Sequence, residues 1–334
     1  MDGDAGRTRA TGTGTGPDYD WILEADTRAF VETSRRNSAV TGEQTAASRR
    51  AAYDANCRYW HNGRPEGIAV EDFSVDGPRG PIPMRRYTPA SGPGAAFILY
   101  LHGGGFVVGG LDSHDDICAE MADRTGYELV SVDYRMAPEF QHPAFFEDAF
   151  AAWEWAAGEG AGGRPIVISG DSAGGTLAAA VVHASRGRPG TPVGQVLIYP
   201  SLGGDPTRGS FALHADAPLL SKADRAFYAT QRDMSLVPDD DPRAYPLRDP
   251  DFSDLPMTVC INAQCDPLAD DGKDYRDRIL AVGGRAMSVE EPGLTHGFLR
   301  ARHASAQAGL AFDRIVESLR ALGKGERPDL REPG

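Results

Sequence analysis

The chain has 334 residues, of which 41% are hydrophobic and 25% are charged, and it carries a formal net charge of −14. This length suits one large α/β domain with an insertion, and no segment is long and apolar enough to span a bilayer. Nucleic acids and anionic membranes attract basic surfaces, so we expect so acidic a chain to bind neither.

The N-terminal part is predicted to add helices to this domain. Residues 1–17 are polar and repeat Thr-Gly without an apolar core, which predicts a disordered leader rather than a signal peptide or a helix. Apolar side chains from Trp21 to Phe30 then recur at helical spacing, and a second amphipathic run follows at 43–59. We therefore predict that residues 18–62 form two cap helices.

The central part of the chain changes to strand-forming segments. Residues 69–75 and 82–87 are short and extended, with a Gly/Pro-rich turn between them, which predicts a pair of antiparallel edge strands. Beyond residue 94, strands that are apolar throughout alternate with helices, as in a parallel sheet covered on both faces. The predicted strands are 96–101, 128–132, 165–169, 193–199, 257–263 and 286–291, and the predicted helices are 114–125, 143–157, 173–184, 268–282 and 303–321.

This alternation defines the predicted domains. Residues 63–200 and 251–334 are expected to form the main α/β domain, since the alternation of strands and helices stops at the end of the first range and resumes in the second. The intervening residues 201–250 are rich in proline and aspartate, with one helix predicted at 221–232. An insertion of this length in a compact domain is typical of a lid, so we predict that it completes the cap.

One strand-to-helix junction carries a motif for nucleophilic chemistry. An apolar strand runs into Gly170-Asp171-Ser172-Ala173-Gly174, and an alanine-rich helix follows at once. Because neither glycine has a Cβ, the serine fits a strained turn with its Oγ above the sheet, and the helix N-terminus offers free amides to an oxyanion. A glycine-rich phosphate-binding turn is the alternative, but no Walker lysine accompanies it.

A second glycine-rich loop lies upstream. A buried-strand pattern breaks into His102-Gly103-Gly104-Gly105. Glycines let backbone N–H groups approach a substrate carbonyl without interference from side chains. We therefore predict Gly104, Gly105 and Ala173 as the amide donors of an oxyanion hole, and we interpret His102 as a residue that hydrogen-bonds this loop in place.

With these two motifs, and with residues 131–139, 266–271 and 296–298, the chain resembles the hormone-sensitive-lipase-like carboxylesterases of the α/β-hydrolase superfamily. The resemblance covers nearly the whole chain, and these motifs occur in the family's order. It implies an α/β-hydrolase fold, with a mostly parallel central sheet, flanking helices and a helical cap. It also implies serine esterase activity without a metal or organic cofactor.

The partners of the serine follow from chain order, which in α/β-hydrolases is serine, acid, histidine. The serine needs an imidazole base, and the base needs a carboxylate to fix its tautomer. Of the four histidines after Ser172, only His296 is predicted to lie in a loop at the carboxyl end of a strand. Asp266 directly follows a strand, whereas Asp270 and Asp271 lie a helical turn further on. The predicted triad is Ser172, Asp266 and His296, and Asp266 also fits an N-cap.

Two further groups of residues have predicted roles around these motifs. Asp133, Arg135 and Glu139 are interpreted as a buried polar brace of the oxyanion loop, since isolated buried charges must be paired. Aromatic side chains of the cap and of the oxyanion loop are predicted to bind substrate: Trp21, Phe30, Phe106, Phe227 and Tyr228.

The cysteines bear on location and on metal binding. Cys57, Cys118, Cys260 and Cys265 form no C-x-x-C pair and no cluster with histidine. This spacing predicts reduced thiols, a cytoplasmic protein and no metal site. The predicted partner is a small-molecule ester, and the sequence leaves open a homodimer.

The function predicted from the sequence is hydrolysis of small to medium acyl esters through an acyl-enzyme. One alternative is an acyltransferase, lactonase or amidase that uses the same triad, which a product assay with other acceptors would distinguish. The other is a non-catalytic small-molecule receptor, since some relatives of the family are receptors that lack a complete triad. This chain retains all three residues of the predicted triad, which favours an enzyme over a receptor.

Overall fold

A computed structural model describes residues 16–330, so the predicted leader at 1–17 lies outside the described residues except for its last two positions. In the described part of the chain, no helix is long and apolar enough to cross a membrane.

A single sheet of eight strands forms the centre of the structure. The strands are β1 (Ala69–Val75), β2 (Ile82–Thr88), β3 (Phe97–Leu101), β4 (Glu128–Val132), β5 (Ile166–Asp171), β6 (Gly194–Ile198), β7 (Met257–Cys265) and β8 (Ala286–Thr295). Their order is β1-β2-β4-β3-β5-β6-β7-β8. The pairs β1–β2 and β2–β4 are antiparallel, and all the other pairs are parallel. The predicted fold class, an α/β-hydrolase fold, is confirmed.

The helices follow the predicted alternation, with differences in the cap. They are α1 (Tyr19–Ile22), α2 (Ala25–Asn37), α3 (Ala46–Tyr59), α4 (Asp115–Thr125), α5 (Ala144–Trp155), α6 (Ala173–Ser185), α7 (Gly209–Leu213), α8 (Lys222–Gln231), α9 (Ala269–Ala281) and α10 (Ala306–Gly323). The first predicted helix is broken in two, because the backbone of Leu23 is extended. The sequence does not predict α7, because a helix of 5 residues is too short to show a hydrophobic periodicity. The prediction that β2 is an edge strand is wrong, since β2 also pairs with β4 and its side chains at Ile82 and Met84 are fully buried.

Side chains alternate across the strands and build a core on each face of the sheet. On β3, Phe97 and Leu99 belong to the core that α5, α6 and α9 cover, whereas Ile98 and Tyr100 belong to the core under α4 and α10. Both faces are therefore covered, and the strands are apolar throughout for this reason.

Glycines bring α6 unusually close to the sheet. A Cβ on Gly174 would overlap the carbonyl oxygen of Leu101 in β3, and a Cβ on Gly175 would lie 2.8 Å from the Cβ of Pro200. The helix therefore begins directly against the carboxyl ends of β3 and β5. This close approach fixes the position of Ser172 at the helix start.

We expect Gly174→Ala to destabilise the protein by about 1–3 kcal/mol, the usual cost of overpacking a dense site, because backbone atoms cannot yield to the added methyl group. The control is Gly158→Ala. Gly158 has no atom within 4 Å of an added Cβ, and its φ is not positive, so this change should be neutral or stabilise by up to about 1 kcal/mol. Urea unfolding followed by circular dichroism measures both. Equal stability of the two variants would contradict the packing argument.

Candidate active site

Ser172 lies in the turn between β5 and α6, in a backbone conformation with φ 53° and ψ −116°. Such positive φ values are uncommon outside glycine. Hydrogen bonds hold the turn, because the N–H of Ser172 donates to the carbonyl of Ile198 at 2.9 Å and its own carbonyl accepts from the N–H of Thr176 at 3.1 Å. The Oγ of Ser172 lies 2.9 Å from Nε2 of His296.

The imidazole and a carboxylate come from the two strands at the end of the sheet. His296 directly follows β8 and Asp266 directly follows β7, and the final residues of these parallel strands are register partners. Nδ1 of His296 lies 2.7 Å from Oδ2 of Asp266, whose side chain is fully buried. The other carboxylate oxygen accepts the N–H of Leu268 at 2.9 Å, so Asp266 also shapes the start of α9.

The other candidates for base and acid have partners elsewhere. Asp270 accepts the N–H of Ser210 at 2.7 Å, and Asp271 accepts the N–H of Leu202 at 2.6 Å, so both hold the chain that follows β6 rather than an imidazole. The remaining downstream histidines contact Asp249 (His183), Tyr19 (His214) and Glu120 (His303). Of these candidates, the structure brings only Asp266 and His296 to Ser172.

The oxyanion loop is tightly folded. The carbonyl of Gly104 accepts from the N–H groups of Val107 and Val108, both at 3.0 Å, and a Cβ on Gly104 would overlap the carbonyl of Val108. Gly104 and Gly105 have φ values of 129° and 60°, which favour glycine. Within residues 16–330, no hydrogen bond takes the N–H of Gly104, Gly105 or Ala173 as its donor. These three amides are therefore available to a ligand.

A buried carboxylate for which the sequence predicts no role connects this loop to the serine turn. Asp171 accepts hydrogen bonds from the N–H of Gly103 at 2.7 Å and the hydroxyl of Tyr100 at 2.8 Å. The hydroxyl of Tyr199 and Nε2 of His114 lie 3.3 Å from it. The available signal was its position, directly before the serine in the motif.

The surroundings of Asp171 keep it ionised. Burial alone would raise the pKa of Asp171, but the contact with His114, the hydrogen bond from Tyr100 and the Arg300 cation together lower it below the ordinary value. Hydrogen bonds to the charged form of a carboxyl favour that form. The oxyanion loop is thus held by a charged acceptor.

His102 supports the same loop from the other side. Its Nδ1 lies 2.8 Å from the carbonyl of Gly103, its ring stacks on Tyr134 at 4.4 Å between centroids, and its own carbonyl accepts from the hydroxyl of Tyr134 at 2.6 Å. Burial lowers the pKa of His102 to about 4. It is therefore neutral near pH 7, and Nδ1–H donates to the loop.

The predicted polar brace needs correction. Glu139 is exposed rather than buried, and it pairs with Arg50 of α3 at 2.6 Å. Arg50, in turn, donates to the carbonyls of Val107 at 2.7 Å and Ala137 at 2.8 Å. Arg135 is paired with the buried carboxylate of Asp148. The brace therefore comes from a cap helix, a long-range contact that local sequence does not encode.

The serine and the imidazole open into a cavity of about 390 Å³ that Gly104 and Gly105 also line. Two of the five residues predicted to bind substrate, Phe30 and Tyr228, are in this lining. The ring of Tyr228 packs directly on the oxyanion loop, since a Cβ on Gly105 would lie 2.7 Å from it.

The other three predicted substrate-binding residues lie outside the lining of this cavity. Trp21 is 38% exposed on the short α1. Phe106 is buried against Phe145, with 4.9 Å between ring centroids. Phe227 lies under the guanidinium of Arg49, whose central carbon is 5.0 Å from the centre of the Phe227 ring. Neighbouring residues on a helix face different directions, so Phe227 turns away where Tyr228 faces the cavity.

Polar residues of the lining were not found by sequence reasoning. They include Tyr53 and Asn56 on α3, His114 before α4, and Arg300 in the turn after His296. Only Arg300 had a local signal, as an arginine four residues beyond the predicted base. Among residues 16–330, no three His, Cys, Asp or Glu side chains are grouped so as to hold a metal ion.

Known proteins resemble this chain over most of its length. A family model of the α/β-hydrolase fold matches residues 98–300. Esterase LipI of Mycobacterium tuberculosis is 41% identical over 271 residues, which are 77% of this chain and 83% of that protein. The ethyl acetate hydrolase of Pseudomonas putida is 34% identical over 249 residues, 71% of this chain and 78% of that protein. A solved esterase structure from Pyrobaculum calidifontis superposes with a TM-score of 0.80 at 30% identity, over 90% of this chain and 99% of that one.

The fold and these comparisons together define an esterase of the α/β-hydrolase superfamily. Within that class, the chain belongs to the hormone-sensitive-lipase-like family. The family and the enzyme class predicted from the sequence are confirmed.

We expect Asp171→Asn to lower kcat/KM for a simple ester by about 10- to 100-fold, because an amide cannot accept all of the donors that converge on this carboxylate, and a charged hydrogen bond contributes about 1.5–3 kcal/mol. The variant should also be less stable at pH 7. A lowered native pKa means that the carboxylate stabilises the fold above its unfolded pKa of about 3.9 and loses this effect as the pH falls.

Urea unfolding of both proteins between pH 7 and pH 3 measures the change in stability. The difference between wild type and variant should shrink below about pH 4. A difference that is constant across this range would contradict the assignment of a lowered pKa to Asp171.

Proposed function

We propose that this esterase hydrolyses carboxylic esters through an acyl-enzyme formed on Ser172, with His296 as the base and Asp266 as the orienting carboxylate. The observation that carries the proposal is the unbroken chain of contacts from Oγ of Ser172 to Nε2 of His296 at 2.9 Å, and from Nδ1 to Asp266 at 2.7 Å. Serine, imidazole and buried carboxylate in this order form the arrangement that activates a serine.

In the first half of the reaction, the Oγ of Ser172 attacks the ester carbonyl while Nε2 of His296 takes its proton. Asp266 accepts the hydrogen bond from Nδ1–H, fixes the tautomer that leaves Nε2 free, and stabilises the imidazolium without itself becoming protonated. Because Asp266 is fully buried, this stabilisation acts at low dielectric.

The oxyanion loop and the start of α6 stabilise the negative charge of the tetrahedral intermediate. The N–H groups of Gly104, Gly105 and Ala173 have no acceptor within the described residues, so they are free to donate to this oxygen. Loss of one such donor typically costs about 2.7–4 kcal/mol of transition-state stabilisation. Collapse of the intermediate expels the alcohol, which takes its proton from His296.

In the second half, water takes the place of the alcohol. His296 removes a proton from the water, which attacks the acyl carbonyl, and the same amides stabilise the second intermediate. Its collapse releases the carboxylic acid and returns the proton to Ser172.

We propose small to medium acyl esters as substrates. A cavity of about 390 Å³ lies in the lower part of the range for small-molecule sites. The ethyl acetate hydrolase among the relatives carries the name of a small ester.

The cap is proposed to consist of residues 18–62 and 201–250, with 63–200 and 251–334 as the catalytic domain. The cavity is lined from both cap segments, for example by Phe30 and Tyr228. The two segments touch at Arg49 and Asp224, whose charged atoms are 3.2 Å apart.

We also propose a cytoplasmic location, as the sequence predicts. All four cysteines are free and buried, and free thiols suit a reducing compartment.

We expect Ser172→Ala to lose several orders of magnitude in kcat, retaining only what the oxyanion amides and binding provide. An organophosphate should add to one peptide of the wild type, the one that contains Ser172, as found by mass spectrometry. Ser38→Ala is the matched control, since Ser38 lines the same cavity, and it should be labelled like the wild type. Label on another residue, together with intact activity in Ser172→Ala, would contradict the assignment of Ser172 as the nucleophile.

We expect Asp266→Asn to fold like the wild type but to lose about 10⁴-fold in kcat, the size seen for this change in another serine hydrolase, because an amide selects the wrong imidazole tautomer. Asp270→Asn is the control, since Asp270 binds a backbone N–H away from the imidazole. Steady-state kinetics on a p-nitrophenyl ester compares the two. If Asp270→Asn were the inactive variant, the orienting acid would have been chosen wrongly.

A further inference from the structure

Arg300 lies in the lining of the cavity that Ser172 and His296 share, and only 8% of it is exposed. Its guanidinium donates to the carbonyl of Ser113 at 2.6 Å and to the hydroxyl of Tyr53 at 2.8 Å. The guanidinium carbon also lies 5.0 Å from the centre of the Tyr53 ring. Neutral groups on two different elements therefore fix the position of this cation.

The charge of Arg300 has no direct counterion. Within residues 16–330, no carboxylate oxygen lies within 4.0 Å of its guanidinium. Another buried arginine, Arg302, contacts Asp116 at 2.6 Å and Glu120 at 2.7 Å. Burying a charge without a partner is costly, which is why buried arginines are normally paired. Of these two buried arginines, the one without a carboxylate partner is Arg300, which faces the catalytic cavity.

Asp171 belongs to the same network, but it reaches Arg300 only through the imidazole of His114. Nε2 of His114 lies 3.3 Å from Oδ1 of Asp171 and 3.5 Å from Nη2 of Arg300. The carboxylate of Asp171 is already occupied by its own donors, among them Tyr100 and Gly103. Asp171 balances the charge of Arg300 at a distance, but it accepts no hydrogen bond from the N–H groups of Arg300.

Donor capacity therefore remains on Arg300. A guanidinium has five N–H groups, of which the carbonyl of Ser113 and the hydroxyl of Tyr53 take two at normal distances. Its planar fork matches the two oxygens of a carboxylate. The net charge of −14 repels anions from the protein as a whole, so an anionic substrate needs a cation inside the cavity to be held there.

We propose that Arg300 binds a carboxylate carried by the substrate, so that the enzyme prefers esters whose acyl or alcohol part ends in a carboxylate. This inference rests on the proposed ester hydrolysis at Ser172, because it concerns the same cavity. If Arg300 served only to balance Asp171, its loss would affect charged and neutral esters equally.

Two pairs of esters test the proposal and identify the part that carries the charge. 4-Nitrophenyl hydrogen adipate places the carboxylate on the acyl side, and 6-(butanoyloxy)hexanoate places it on the alcohol side. Each is compared with its primary amide, which has the same length without the charge. Wild type should favour at least one of the carboxylates in kcat/KM by about tenfold or more, chiefly through KM, as expected for charge-assisted hydrogen bonds.

Variants at Arg300 connect the preference to this side chain. Arg300→Met should abolish the preference of the carboxylate over the amide, and Arg300→Lys should restore part of it. Arg79→Met removes the same charge from an exposed position outside the cavity, and its preference should equal that of the wild type. A preference that is absent in the wild type, or unchanged in Arg300→Met, would overturn the proposal.

A measurement on the wild type alone avoids any dependence on how the variants fold. Adipate should inhibit hydrolysis of a neutral ester competitively, and adipamide should bind at least tenfold more weakly. Equal inhibition by both would also overturn the proposal. If the wild type hydrolysed neither the charged nor the neutral esters, the proposed esterase chemistry would have failed instead, and inhibition of hydrolysis would not be measurable at all.

Discussion

The arrangement at the cavity depends on one buried carboxylate. Asp171 is the last residue of β5 and precedes the serine, so its backbone belongs to the turn while its side chain binds Gly103 in the oxyanion loop. A charged acceptor in a low-dielectric interior forms stronger hydrogen bonds than a neutral one. The serine and the amides that face it therefore share an anchor, and neither can shift without disturbing the other.

Sheet topology provides the other half of the arrangement. Parallel strands end at the same edge, and β5, β7 and β8 each deliver one group at that edge: Ser172, Asp266 and His296. The three residues are far apart in sequence, but each stands within one residue of a strand end. Rigid strands fix side-chain positions more accurately than long loops do.

The site features that the sequence can indicate are those with local causes. Glycine at defined positions marks a close backbone approach, which indicates the serine turn and the predicted oxyanion loop. Chain order indicates Asp266 and His296. In contrast, Trp21, Phe106 and Phe227 lie outside the lining of the cavity, because tertiary packing decides which face of a helix or loop meets a cavity. The contacts of Asp171 and Arg300 involve partners up to 247 residues away, and no short pattern encodes such pairings.

The contact between Arg49 and Asp224 has a consequence for access to the serine. Both side chains are 27% exposed, and ion pairs at such positions contribute about 0–1 kcal/mol and weaken with salt. Each cap segment also contacts the rest of the chain, through Arg50 at Val107 and through Leu202 at Asp271. The hydrogen bond between Tyr19 and His214 also joins the two segments, so salt weakens only one part of the contact between them. We expect ionic strength to affect substrate entry and product release through that part alone.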